Sequence, residues 1–140
     1  MRILRLLPLV LACACSVSVE RTPPAAPVTP EARVVQAQVD AFNRRDVEAF
    51  MATYAPNAIH WEYPADTVWN GASRIRAHYT ELFADPDARD LHVDVRERIV
   101  KGRFVIDHGF YRGLPGEGEH VSVVIYEVVD GRIRNAWFMN

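Results

Sequence analysis

Cysteine is scarce in this chain. Among 140 residues there are two, Cys13 and Cys15, both in the first fifteen positions. A domain folded from the remainder has no pair for a structural disulfide, which excludes a disulfide-stapled secreted module. An excess of charge of one sign is missing as well. The formal net charge is -2, and without an N-terminal segment carrying Arg2 and Arg5 it becomes 14 basic against 18 acidic residues, or -4. Basic and acidic residues alternate, as in LHVDVRERIVKGR from Leu91 to Arg103, which reads as solvated strand faces; no nucleic-acid partner is expected. The histidines, His60, His78, His92, His108 and His120, show neither HxxxH nor HxH spacing and have no cysteine beside them, so no metal site is expected. The apolar run LLPLVLA, residues 6 to 12, is far too short to cross a bilayer as a permanent helix and contains Pro8.

What is present divides the chain in three. Residues 1 to 15 combine a basic start, that short apolar core and the stretch Ala-Cys-Ala-Cys, the pattern of an export signal. Leu11 to Cys15 resembles a bacterial lipobox, where small residues precede the cysteine that receives lipid. Cys15 is the expected lipidated residue, with Cys13 the alternative site and plain secretion the alternative route. If Cys15 opens the mature chain, Ser16 follows it, and the absence of Asp at that position is what outer-membrane sorting usually shows in such lipoproteins. The expected location is thus periplasmic or outer-membrane-anchored. Residues 16 to 30 hold four of the nine prolines without apolar periodicity and read as a tether. Residues 31 to 140 have the composition of one globular domain, the whole chain being 49% hydrophobic and 24% charged.

Within that domain, apolar spacing predicts a helix over Glu31–Arg44, a second from the N-cap Asp46 to Tyr54, and a third over Ala72–Phe83. Strands are expected at Ala58–Tyr63, around Thr67–Trp69, and at Leu91–Val100, Phe104–Tyr111, His120–Val129 and Ile133–Met139. Asp130-Gly131 between two alternating apolar runs is a strong hairpin signal. Helices first and an antiparallel meander after them make an α+β domain.

One residue breaks the pattern of the first helix. Val34, Val35, Val39, Ala41 and Phe42 form its inward stripe, and Gln38 lies near the centre of that stripe. A buried amide needs hydrogen-bond partners, so Gln38 is either bonded within the core or a donor to a pocket.

The stretches AFNRRDVEAFMATYAPNA, NGASRIRAHY and IYEVVDGRIRNAWF resemble the SnoaL-like branch of the nuclear transport factor 2 superfamily, which includes the ketosteroid isomerases. The resemblance implies a cone: a strongly curved, mostly antiparallel sheet wrapped around three N-terminal helices. It also implies a deep apolar pocket at the open end and a homodimer formed through the outer sheet face. Aligned without gaps from the first helix to the third, the family's oxyanion-hole tyrosine falls on Gln38 and its general-base aspartate on Glu62. The aspartic acid that completes the oxyanion hole falls on Tyr126. All three positions are substituted, leaving a carboxylate, an amide donor and a phenol donor as the candidate catalytic set.

Strand alternation and the family register disagree about Glu62. Ile59, Trp61 and Tyr63 form the apolar set, which turns His60 and Glu62 to solvent; the register turns them inward, and a one-residue shift would substitute Tyr63. His60, Tyr54, Tyr79 and Phe138 are the expected pocket-lining residues. His78 flanks the core stripe of the third helix, either as an edge histidine or as a base. Asp107 and His108 point to opposite faces, and Glu127, opposite Tyr126, calls for a basic partner across the outer sheet. Two uses of such a pocket stay open: cofactor-free isomerase-type chemistry with Glu62 as base, or non-catalytic binding of a small hydrophobic molecule near the cell envelope. A third reading makes the outer sheet face a protein-interaction surface.

Overall fold

The computed structural model describes residues 28–63 and 66–139. The expected export signal and nearly all of the tether lie outside them. Helix α1 (Pro30–Arg44) starts where the Thr29 side chain accepts a hydrogen bond from the Ala32 amide at 3.1 Å, with Pro30 in the first turn. It ends where Arg45 adopts a left-handed conformation. Helix α2 (Val47–Ala52) is capped by Asp46. It is shorter than the apolar spacing predicts, and Tyr54 opens a strand instead. The Thr53 hydroxyl donates to the Phe50 carbonyl at 2.7 Å, closing the helix. The Thr53 carbonyl then accepts from the Ile133 amide at 2.8 Å, drawing the chain into the sheet.

The strands are β1 (Tyr54–Glu62), β2 (Asp66–Asn70), β3 (His92–Lys101), β4 (Phe104–Arg112), β5 (His120–Val129) and β6 (Arg132–Met139). Between β2 and β3 lie α3 (Ala72–Ala84) and a 3-10 turn, Pro86–Ala88, which carries no apolar period and was not predicted. The sheet order is β2-β1-β6-β5-β4-β3, with β1 parallel to β6 and every other pair antiparallel. Asp130 and Gly131 both have positive φ, 51° and 72°, as the two-residue turn between β5 and β6 requires.

All three helices lie on one face of this open cone, α1 across β3 to β6 and α3 across β1 and β2. The core between them joins Val35, Val39 and Phe42 of α1 to Phe50, Ile75, Val105, Val124 and Ile133. Each fully buried large side chain contributes roughly 1.5–3 kcal/mol. Side-chain polar groups also tie α1 to the sheet. Asn43 acts as an extra strand residue, donating to the Val93 carbonyl at 3.0 Å and accepting from its amide at 2.8 Å.

The apolar set of β1 faces away from the helices. Ala58 and His60 are buried, while Tyr63 is 67% exposed. Trp61 is stable on the outer face because its indole N–H donates to Asn135 Oδ1 at 3.0 Å. Asn135 in turn donates to Glu127 at 2.6 Å, and Arg103 is the cross-sheet partner of Glu127 at 2.9 Å.

Candidate functional site

A cavity of about 500 Å³ opens at the wide end of the cone. Its wall is aromatic: Phe42 from α1, Trp69 from β2, Tyr79 from α3, Tyr111 from β4 and Phe138 from β6. The mouth is formed by the end of α3 and by the loop after β4, where Leu114, Pro115 and Glu117 line it. Gly113 anchors that loop. Its φ is +74°, and a Cβ there would stand 2.4 Å from the Asp90 backbone, so no other residue fits.

The expected catalytic set is divided by this wall. Glu62 lies at the rim, exposed, at the end of β1. Gln38 and Tyr126 are buried, 5% and 2% exposed, and do not line the cavity. They bond within the core instead: the Tyr126 hydroxyl donates to Gln38 Oε1 at 3.5 Å, and Gln38 Nε2 donates to the Tyr54 hydroxyl at 3.4 Å. Burial raises the pKa of both phenols well above its ordinary value, so they remain neutral donors. The amide is a core group held between two tyrosines, and Glu62 is not gathered with it.

Of the four expected lining residues, Tyr79 and Phe138 stand in the wall. Tyr54 and His60 lie behind it, with His60 fully buried. The His60 ring touches Trp69, Tyr79 and Phe138 with centroids 5.7, 5.9 and 5.1 Å away, and Tyr54 at 5.1 Å. Neither of its nitrogens has a hydrogen-bond partner among the described residues. Desolvation, helped by the nearby His78, lowers its pKa to about 3, so the ring is neutral.

His78 is in the cavity itself, half-buried and stacked on the Trp69 indole at 3.9 Å with 20° between the planes. Burial lowers its pKa as well, against the opposing pull of Glu81. Across the mouth His120 stacks on Tyr111 at 5.7 Å and 8°. The sequence reading missed His120, Leu114 and the Ser122 side chain of the same strand as cavity residues. Among the described residues no group of three or more His, Cys, Asp or Glu side chains is placed to hold a metal.

The family model for the SnoaL-like domain matches residues 35–136. The chain belongs to the SnoaL-like family. Solved structures share the fold of this SnoaL-like domain at low identity. A cystatin-fold protein from Novosphingobium aromaticivorans matches with a TM-score of 0.72 and 17% identity, over 79% of this chain and 97% of that one. A proposed ketosteroid isomerase from Kribbella flavida gives 0.66 and 20%, over 79% and 76%. An M. tuberculosis LEH-like epoxide hydrolase gives 0.68 and 17%, over 80% and 83%. No curated protein matches the chain in sequence. One scaffold thus carries different chemistries, and the function of this SnoaL-like domain must be argued from its cavity.

Proposed function

We propose that the chain is an exported ligand-binding protein of the bacterial cell envelope, held by lipid on Cys15 and dimeric through its outer sheet face. Its cavity takes a small, mostly apolar molecule. The observation that carries this reading is the separation of Gln38 and Tyr126 from an open aromatic cavity of about 500 Å³. A volume of that size suits a small organic ligand. Binding needs only the wall; isomerase chemistry at these positions needs donors and base in one place.

The test is native mass spectrometry of protein purified from its own envelope, paired with binding of a hydrophobic fluorophore. A co-purifying small molecule and fluorophore binding that is lost in Leu114→Trp, which fills the mouth, are expected. An empty protein whose fluorophore binding is unaffected by Leu114→Trp would reject the cavity as the site.

Acid–base catalysis is supported by a different observation: His78, half-buried, shares the cavity with Glu62. That reading requires proton exchange on small cyclic ketones that falls at least about 100-fold in Glu62→Gln or His78→Gln, the usual size of a general-base effect.

A further inference from the structure

We propose that the ligand is an apolar organic cation: a protonated amine whose hydrocarbon body lies on the aromatic wall and whose ammonium group faces the carboxylates of the mouth. This rests on the reading of the cavity as a ligand site and names the class of ligand.

The charges of the lining point one way. Glu62, Glu81, Asp85 and Glu117 line the cavity, and among the described residues no Lys or Arg does. Three arginines engage carboxylates elsewhere, Arg98 with Asp107, Arg103 with Glu127 and Arg76 with Glu48. None of the four lining carboxylates pairs with Lys or Arg among the described residues; Glu117 has His120 at 3.7 Å. His78 does not offset them, because burial keeps it neutral. A cleft lined by one sign of charge focuses its field inward, so a phosphate or carboxylate ligand would enter against it.

The wall suits the same ligand. The face of an aromatic ring attracts a cation within about 6 Å of its centroid, Trp most strongly, and cages of such rings recognise alkylammonium groups. Five aromatic rings line this cavity, each from a different element, with Trp69 among them.

The experiment is calorimetric titration of the full-length chain with three probes of similar shape: benzyldimethylamine, benzyl methyl ketone and phenylacetate. The amine should bind at least about tenfold more tightly than the ketone, with phenylacetate weakest, and salt should shrink the preference. In the double variant Glu62→Gln, Glu81→Gln the amine's preference over the ketone should shrink by at least half while the ketone's affinity is unchanged. Both residues are exposed, so the fold tolerates the change, and a thermal melt verifies it. A ketone that binds as tightly as the amine, or a preference undiminished in the double variant, overturns the cation while leaving the cavity as a site. Failure of all three probes rejects the cavity reading and the cation with it.

Discussion

Tyr126 and Gln38, 88 positions apart in the chain, meet inside the cone with the phenol hydroxyl 3.5 Å from the amide oxygen. The contact joins β5 to α1 beneath the cavity, and Tyr54 extends it from β1. These are the positions at which the isomerase resemblance places its hydrogen-bond donors. Here the donors are used up on one another.

Replacing Gln38 by Leu should therefore cost stability and leave the cavity intact. Two tyrosine hydroxyls lose a buried partner, worth about 1–3 kcal/mol. Tyr126→Phe should cost less, and the double variant less than the sum of the two, as contact partners do. Denaturant melts check this. Unchanged stability in Gln38→Leu would contradict the core role, and loss of ligand binding without loss of stability would restore the pocket role.

Arg98 of β3 and Asp107 of β4 form a two-point ion pair within the sheet, and the same guanidinium reaches across to α1. Two guanidinium nitrogens bond the two carboxylate oxygens at 2.6 and 2.7 Å, and a third bonds the Ala32 carbonyl and Gln36 of α1. Asp107 is 3% exposed. Removing the guanidinium in Arg98→Ala leaves a buried charge and should cost about 3–5 kcal/mol. Asp107→Asn in the Arg98→Ala background should recover part of that loss; no recovery would mean the pair is not the cause.

His60 predicts a pH dependence. Its folded pKa of about 3 lies below the unfolded value of 6.5, so below the latter the unfolded chain binds the extra proton. Stability is then fully present above about pH 6.5 and is lost on acidification toward about pH 3, at up to roughly 1.4 kcal/mol per pH unit. His78 adds in the same direction. His60→Leu should flatten this slope and match or exceed wild-type stability at neutral pH, since it removes an unpaired buried polar group. A wild-type slope that persists in His60→Leu would assign the acid sensitivity to other groups.

The N-terminal segment yields a separate outcome. Metabolic labelling with a clickable fatty acid should mark the wild type and not Cys15→Ser. Label retained by that variant moves the site to Cys13, and label in neither means plain secretion.

The order and type of the elements follow from the sequence, because they depend on local periods. Helical spacing around Val35, Val39 and Phe42, strand alternation from His120 to Val129, and the Asp130-Gly131 turn each carry their own geometry. Local rules failed where a distant partner decided. Tyr54 left its helix because β6 captured Thr53, and β1 turned Trp61 outward because Asn135 on the parallel neighbour satisfies its indole. The same limit divides the site. That Gln38 is buried was legible from its place on the helical stripe; that it faces Tyr126 and Tyr54 was not, since those residues come from strands brought beside it only by the closing of the sheet. Glu62 follows the inward parity of His60, but its strand ends there, and whether the last residue of a strand is enclosed depends on what stands opposite. The carboxylates of the mouth come from the end of β1, from α3 and the residue that ends it, and from the loop before β5. Their shared cavity is a product of tertiary folding alone, because charges scattered over 56 positions, Glu62 to Glu117, carry no common local signal.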